Sequence, residues 1–148
     1  GDFVTMDFGA VVNGYCADMT RTVAVGEVSE EQRAVYEVVL KAQQTALSTL
    51  GPDVLCSDGD AAARDVIEAA GYGKDFGHAT GHSVGLQIHE DPRLSPKCQA
   101  MLVPGTTMTV EPGIYLEGRF GVRIEDLVVI TEQGFKNLTK SEKSLIIL

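Results

Sequence analysis

The sequence lacks two features that would each assign it to a familiar class of protein. No stretch approaches the roughly 18 consecutive apolar residues of a membrane span. Basic residues are few, with 12 Lys and Arg against 21 Asp and Glu, so the net charge is −9. Nucleic acids and anionic membrane surfaces attract clustered Lys and Arg, so neither is an expected partner. The excess of carboxylates suggests that some of them do more than solvate the surface.

Cysteine is also scarce, with only Cys16, Cys56 and Cys98 and no CxxC spacing. An odd number of widely spaced cysteines argues against a disulfide framework and against a zinc–thiolate site. We therefore expect free thiols and a reducing, cytoplasmic location. Hydrophobic residues make up 44% of the chain, which is ordinary for a globular protein with a packed core. No linker or repeat divides the chain, so residues 1–148 are expected to form a single domain.

The first third of the chain has clear local signals. Apolar runs over residues 3–12 and 15–25 flank Asn13-Gly14, which is the strongest short signal for a β-hairpin. Ser29 and Gln32 form a capping box, and the apolar periodicity that follows predicts a helix that stops at Gly51-Pro52.

The rest of the chain predicts a second helix followed by strands. The helix is expected over 57–70, with Ser57 as its N-cap and Gly71 after its end. The segment 72–100 is expected to be mostly loop, with one short strand near 84–89. Further strands are expected over 106–116, 121–131 and 144–148, the first two joined by a loop around Gly118. Two helices on one side of a largely antiparallel sheet make an α+β architecture.

Two aspartates flank the predicted hairpin turn. A two-residue loop at 13–14 places Asp18 opposite Gly9, and Asp7 lies two residues before Gly9 on the same strand. Such positions share a face, so both carboxylates point the same way, with Cα atoms roughly 7–8 Å apart. Like charges on an apolar face repel unless a cation lies between them. The alternative is a pair of solvated aspartates on an exposed face.

All three histidines lie within the twelve residues His78–His89, with His82 between them. Interleaved glycines permit close approach of the backbone. Imidazole is the commonest neutral metal ligand and a natural proton shuttle. Packing alone does not explain the clustering, although histidines with satisfied hydrogen bonds remain the alternative. The spacing is not HExxH, so a helical zinc site of that type is not indicated.

Two glutamates, Glu111 and Glu125, interrupt apolar strand patterns later in the chain. A carboxylate inside a strand is costly to bury without a partner. Arg123 could pair with either of them, so a structural salt bridge is the alternative to a metal site.

Together these residues supply four carboxylates and at least one imidazole. Such a donor set suits Mn²⁺, Fe²⁺, Co²⁺ or Zn²⁺. Four carboxylates exceed what one catalytic zinc usually takes. Two ions about 3.5–4 Å apart, bridged by carboxylates and a hydroxide, would balance the charge better, and such pairs perform hydrolysis.

The set Asp7, Asp18, His82, Glu111 and Glu125 resembles the ligands of the pita-bread metallopeptidases, the family of methionine aminopeptidase, aminopeptidase P and prolidase. Five ordered motifs carry the resemblance across nearly the whole chain: Met6-Asp7-Phe8-Gly9, Asp18-Met19-Thr20-Arg21-Thr22, Gly81-His82-Ser83-Val84-Gly85, Val110-Glu111-Pro112-Gly113-Ile114-Tyr115 and Val122-Arg123-Ile124-Glu125-Asp126. The last two, with His78, resemble the branch that cuts next to proline. The resemblance implies an α+β pita-bread fold, with a mostly antiparallel curved sheet covered by two main helices.

The resemblance also implies roles for the site residues. The ligand set is Asp7, Asp18, His82, Glu111 and Glu125. These residues would hold two divalent ions, with Mn²⁺ expected first and Co²⁺, Fe²⁺ and Zn²⁺ as alternatives. A bridging hydroxide would attack the Xaa-Pro bond of a dipeptide or of a peptide N-terminus. Glu111 would relay a proton to the leaving nitrogen, and His89 would hydrogen-bond the oxyanion. His78 and Arg123 would line the side that takes the proline and its carboxylate.

In this family the catalytic domain begins well before the strand that carries Asp7, and the earlier part supplies two helices and another active-site histidine. The chain also starts inside a strand pattern. We therefore expect a truncated C-terminal portion of a catalytic domain, poorly active by itself. Relatives often dimerise, which leaves a homodimer open. Two other functions stay open: an amidohydrolase of non-peptide amides, and a binding module with a vestigial site.

Overall fold

The first hairpin forms as the Asn13-Gly14 turn predicts. In the computed structural model, which describes all 148 residues, strand β1 (Asp2–Phe8) is followed by β2 (Val11–Val12), β3 (Tyr15–Cys16) and β4 (Met19–Val25). Asn13 and Gly14 have φ angles of 51° and 86°, as a type I′ turn requires. One register runs through both ladders, β2–β3 and β1–β4, and pairs Asp7 with Thr20. That register places Asp18 opposite Gly9, as predicted.

Helix α1 (Glu30–Thr49) begins at the predicted capping box. The Ser29 hydroxyl accepts from the backbone N–H of Gln32, and the Gln32 side chain accepts from the backbone N–H of Ser29. The helix buries the predicted apolar face, except that Val38 is only half-buried. This face consists of Val35, Val39, Ala42, Ala46 and Leu47.

Helix α2 (Cys56–Ala69) packs against α1, but its predicted cap is wrong. Its N-cap is Leu55, which makes no side-chain hydrogen bond, and Ser57 lies inside the helix. The backbone N–H groups of Cys56 and Ser57 donate to the carbonyls of Ala100 and Cys98 at 2.9 and 3.1 Å. Backbone carbonyls of the loop at residues 98–100 thus accept the hydrogen bonds that a capping side chain would otherwise accept. Gly71, with φ of 89°, follows the end of the helix as predicted.

The strand predicted near 84–89 is also wrong. A short 3₁₀ turn (Gly73–Asp75) leads to β5 (Gly81–Ser83) and β6 (Glu90–Leu94), and residues 84–89 connect the two strands. Inside this connection the N–H of Gly85 donates to the carbonyl of Gln87, and the N–H of Gln87 donates to the Glu90 carboxylate. These local hydrogen bonds replace those of a strand ladder.

The two strands predicted over 106–116 and 121–131 form one long hairpin, turning at Gly118, but each is broken once. The pieces are β7 (Thr107–Val110), β8 (Gly113–Leu116), β9 (Phe120–Arg123) and β10 (Asp126–Thr131). Val110 pairs with Asp126 and Gly113 with Arg123, so the common register sets Glu111 opposite Glu125 at the break.

The physical reason for the break lies in the backbone. Pro112 has no N–H to donate to a ladder. The N–H of Glu111 instead donates to the carbonyl of Thr80 at 2.7 Å, and the N–H of Glu125 donates to that of Thr20 at 3.1 Å. Each glutamate is therefore hydrogen-bonded to a neighbouring segment: Glu111 to the residue before β5, and Glu125 to β4.

A last strand, β11 (Gly134–Asn137), pairs with β10 and has no counterpart in the sequence predictions. The strand predicted over 144–148 is reduced to one parallel bridge between Ile147 and Ala24. All ladders between strands are antiparallel, and 20 buried hydrophobic residues form the core between helices and strands. Neither helix combines the length and the apolar character needed to cross a membrane.

Candidate metal centre

Two hairpins and one short strand bring four of the predicted ligands together. Donor atoms of Asp18, His82 and Glu125 all lie within 4.8 Å of one another. Nε2 of His82 lies 3.1 Å from Oε1 of Glu111 and 3.6 Å from Oδ2 of Asp18. Carboxylates from the first hairpin and from the break in the second therefore converge on one imidazole nitrogen.

The fifth predicted ligand, Asp7, lies at the edge of this cluster. Its Oδ2 accepts a hydrogen bond of 2.6 Å from Nη2 of Arg123, and its side chain is 51% exposed. The salt bridge that the sequence allowed between Arg123 and Glu111 or Glu125 does not form, because the guanidinium group pairs with Asp7 instead.

His82 is oriented as a metal-ligating histidine would be. Its Nδ1 lies 3.0 Å from the carbonyl oxygen of Ser83. A carbonyl can only accept, so Nδ1 carries the proton and Nε2 faces the carboxylates. A Cβ on Gly81 would lie 1.9 Å from the carbonyl oxygen of Thr109, so only glycine lets β5 approach β7 this closely.

The two glutamates are held by threonine hydroxyls. Thr20 Oγ1 donates to Glu125 Oε2 at 2.5 Å, and Thr109 Oγ1 donates to Glu111 Oε1 at 2.9 Å. Glu125 is 1% exposed, and its Oε1 has no hydrogen-bond partner. A buried carboxylate oxygen without a partner is unfavourable. A divalent cation among these donors would supply the missing interaction, so the residues fit a metal ion.

The electrostatics of the cluster also favour a cation. Burial, and then the charge of Glu111, raises the pKa of Glu125 to about 8. Burial, and then the charges of Asp7 and Glu111, raises the pKa of Asp18. Burial opposes charge on His82 and is the largest single influence, but the hydrogen bonds with Glu111 and the Ser83 carbonyl and the charges of Glu111 and Asp18 together raise the pKa of His82. Burial likewise opposes charge on Glu111, but its contacts with His82 and Thr109 together lower the pKa of Glu111. The carboxylates of Asp18 and Glu111 thus share a single positive group, the protonated imidazole of His82.

A chain of hydrogen bonds runs from Asp7 to His78. Arg123 Nη1 donates to the hydroxyl of Tyr115 at 2.9 Å, and that hydroxyl lies 2.7 Å from Nε2 of His78. Nδ1 of His78 lies 2.8 Å from the carbonyl of Ala79, so Nδ1 carries the proton and Nε2 accepts from Tyr115. His78 and Arg123, which the sequence placed on one side of the site, are thereby connected.

His89 lies between two cavities that flank the cluster. Its ring packs edge-on against that of His82, with centroids 4.5 Å apart. One cavity, of about 310 Å³, is polar and its lining includes His78, Arg93, Glu111 and Arg123. The other, of about 400 Å³, is more apolar and its lining includes Phe8, Val11, Cys16 and Ile88. Asp7 and His89 border both.

Four residues of the site escaped the sequence predictions: Thr20, Thr109, Tyr115 and Arg93. Alternation along a strand could have indicated two of them, since Thr20 lies two residues after Asp18 and Thr109 two before Glu111. Nothing in the local sequence marks Tyr115 or Arg93 as site residues.

The antiparallel α+β fold and the carboxylate–imidazole cluster are typical of metal-dependent hydrolases. Comparison with known proteins narrows the class. The model of metallopeptidase family M24 matches residues 1–132, and the chain belongs to this family.

Its relatives include the Xaa-Pro dipeptidase of Pyrococcus furiosus, which is 48% identical over 146 residues, or 99% of this chain and 42% of that protein. Among solved structures, prolidase from Thermococcus sibiricus superimposes with a TM-score of 0.98 at 47% identity, covering 100% of this chain and 40% of that one. X-Pro aminopeptidase from Thermotoga maritima gives 0.95 at 44% identity, covering 99% and 42%. The predicted pita-bread fold is confirmed. The chain spans about 40% of the length of these relatives.

Proposed function

We propose that the protein containing these residues is a metallopeptidase that hydrolyses the Xaa-Pro bond of dipeptides or of peptide N-termini, and that residues 1–148 form a single domain that is the C-terminal part of its catalytic domain. The observation that supports this best is the buried, unpartnered Oε1 of Glu125 beside Asp18 and His82, in a chain whose relatives include Xaa-Pro dipeptidases. The sparse cysteines favour a cytoplasmic location, and a homodimer stays open.

The proposed cofactor is a pair of divalent ions, Mn²⁺ first and Co²⁺, Fe²⁺ or Zn²⁺ as alternatives. The residues that would hold them are Asp7, Asp18, His82, Glu111 and Glu125. When bound, the ions would supply Lewis-acid activation of a water molecule and of the scissile carbonyl. For Asp7 to join this set, its carboxylate must share its interaction with Arg123.

Two residues are proposed to act on protons and charge at the peptide bond, and a third to contact the substrate. Glu111 keeps a lowered pKa, so its carboxylate can accept a proton from the attacking water and pass it to the leaving nitrogen. His89, between the two cavities, can donate to the carbonyl oxygen as negative charge develops there. His78, linked to Tyr115, lines the polar cavity and would contact the proline side of the substrate.

Two guanidinium groups line the polar cavity, and that of Arg93 is the less engaged of the two, so it can take the carboxylate that follows proline in a dipeptide. Arg123 stays the residue proposed for the proline side of the substrate, and its donations to Asp7 and Tyr115 fix its orientation in the cavity. Arg93 has only a 3.7 Å contact with Asp91, and its side chain is 52% exposed. The guanidinium group of Arg93 is therefore free to donate two parallel hydrogen bonds to a carboxylate. In a dipeptide the proline itself carries the free carboxylate, so this arrangement favours a dipeptide substrate.

The test is turnover by the full-length protein with added Mn²⁺. We expect cleavage of an Xaa-Pro dipeptide, and a tripeptide beginning Xaa-Pro distinguishes a dipeptidase from an aminopeptidase. Asp18→Asn and Glu111→Gln should each lower kcat by about 100-fold or more, because each removes a carboxylate from the centre. Asp65→Asn, on the exposed side of α2, is the matched control.

Full turnover by either site variant would contradict the proposal. Cleavage of a Met-Ala peptide alone would overturn the proline assignment and leave a metallopeptidase. Cleavage of only non-peptide amides would favour the amidohydrolase alternative. Absence of any divalent ion from the purified protein, measured by elemental analysis, would favour a vestigial binding module.

A further inference from the structure

A buried ion pair on α2 lies behind the metal centre without touching it. Asp60 is 1% exposed, and Arg64 follows it one helical turn later. Arg64 Nε and Nη2 donate to the two carboxylate oxygens of Asp60 at 2.7 and 2.9 Å. This bidentate geometry fixes both side chains more firmly than a single contact would.

The remaining hydrogen bonds of the pair go to residues 76–80. Asp60 Oδ1 accepts from the backbone N–H and the hydroxyl of Thr80 at 3.0 and 2.9 Å. Arg64 donates to the carbonyls of Phe76 and His78 at 3.2 and 2.9 Å, and its guanidinium carbon lies 4.3 Å from the centre of the Phe76 ring. The pair therefore holds this segment at its start, middle and end.

The same segment contacts the functional residues on its other side. His78 meets the Tyr115 hydroxyl at 2.7 Å, and the carbonyl of Thr80 accepts from the backbone N–H of Glu111 at 2.7 Å. An i,i+4 ion pair that served only the helix would be expected on an exposed face, where it contributes little to stability. Here the aspartate is buried and bonded to the segment instead.

We propose that Asp60 and Arg64 are positioning residues for Xaa-Pro hydrolysis, which fix His78 in the polar cavity through the backbone of residues 76–80. The inference rests on the proposed function. Arginine is required because four directed N–H groups serve Asp60, Phe76 and His78 at once, which an ammonium group cannot reproduce in this fixed planar geometry.

The experiment compares Arg64→Gln, Arg64→Lys and the control Asp65→Asn in the full-length, Mn²⁺-loaded protein, at a temperature where melting curves show every variant folded. For Arg64→Gln we expect kcat to fall about 10–100-fold, the range seen when residues behind a site are removed. Arg64→Lys should recover only part of the loss. The Kd for Mn²⁺ should change by less than about threefold, well below the loss expected for a residue that orients a ligand. The reason is that Asp60 still holds Thr80, whose carbonyl accepts from the N–H of Glu111.

A double-mutant cycle with His78→Ala separates positioning from general damage. If Arg64 acts through His78, Arg64→Gln should have little further effect on kcat in the His78→Ala background. Fully additive losses would overturn the inference.

Amide hydrogen exchange supplies a readout without substrate. In Arg64→Gln, exchange should rise in residues 76–80 while the rest of α2 stays protected. Unchanged exchange in this segment, or unchanged kcat, would overturn the inference. Absence of Xaa-Pro cleavage by the unsubstituted protein would instead overturn the proposed function, so the two failures are distinguishable.

Discussion

A single hydroxyl group links the two hairpins at the metal centre. Thr20 Oγ1 donates to Glu125 and accepts from Nε of Arg123 at 3.2 Å. It therefore sets the orientation of one proposed ligand and of the guanidinium group that holds Asp7. Groups that orient metal ligands affect affinity almost as strongly as the ligands themselves.

We predict that Thr20→Val weakens Mn²⁺ binding by about 10–100-fold, because Glu125 loses its orienting donor. Valine has nearly the same shape, so the backbone of β4 should be retained. Isothermal titration calorimetry measures the change. Thr106→Val, which removes a hydroxyl away from the cluster, should leave the affinity unaltered. Equal affinity in the two variants would refute the role given to Thr20.

At the scale of single residues, the sequence allowed prediction of charged groups but not of their partners. Glu111 and Glu125 stood out because carboxylates interrupt apolar strands, and His82 because the histidines cluster. The hydroxyl of Thr20 could not be assigned, since its contact with Glu125 spans 105 residues and threonine is ordinary in strands. The ion pair of Arg123 with Asp7 likewise depends on the meeting of two hairpins.

At the scale of elements, the approach of β5 to β7 decides where His82 lies. We predict that Gly81→Ala lowers the free energy of unfolding by about 1–3 kcal/mol, as overpacking does, because the new Cβ would meet the carbonyl of Thr109. The same shift of β5 should weaken Mn²⁺ binding.

Gly77→Ala is the matched control, because a Cβ there meets nothing within 4 Å. Its unfolding free energy should stay within about 0.5 kcal/mol of the original. Chemical denaturation and calorimetry check both variants. A Gly81→Ala protein that is as stable and binds Mn²⁺ as tightly as Gly77→Ala would show that the close approach is dispensable.

Elements that depend on local chemistry were predictable, and those that depend on distant partners were not. The hairpin at Asn13-Gly14 and the capping box at Ser29 are encoded by adjacent residues. Ser57 looked like a cap because its competitor, the loop carbonyls of 98–100, lies far away in sequence. Pro112 marks the interruption at Glu111 locally, but the hydrogen bond from the N–H of Glu111 to the carbonyl of Thr80 depends on a segment that is distant in sequence.

At the scale of the whole molecule, one buried carboxylate joins four distant parts of the chain. Asp126 is fully buried and accepts hydrogen bonds from Arg21 on β4, Gln43 on α1, Asn137 on β11 and Lys143 near the C-terminus. Burial opposes its charge, but the hydrogen bonds from Lys143, Arg21 and Asn137 outweigh burial and lower its pKa.

We predict that Asp126→Asn lowers the free energy of unfolding by about 3 kcal/mol, because it leaves the buried guanidinium group of Arg21 and the half-buried ammonium group of Lys143 without their anion. Asp65→Asn should change it by less than about 0.5 kcal/mol. Because the pKa of Asp126 is lowered in the folded state, its stabilisation is complete above the ordinary aspartate value of about 3.9 and is lost as the pH falls.

Denaturant unfolding at several pH values measures both effects. The acid-induced loss of stability below about pH 4 should be smaller in Asp126→Asn, since the group that titrates there is absent. Equal stability of the two variants at pH 7 would contradict the bridging role of Asp126.

The turn at Asn13-Gly14 determines where this hairpin can accept inserted or deleted residues during evolution. Residues added within the turn leave both strands in register, so the side chains of Asp7 and Asp18 keep their common face. One residue added or deleted between Tyr15 and Asp18 reverses the facing of the second aspartate unless a bulge absorbs it. Viable insertions and deletions in this hairpin should therefore concentrate at the turn.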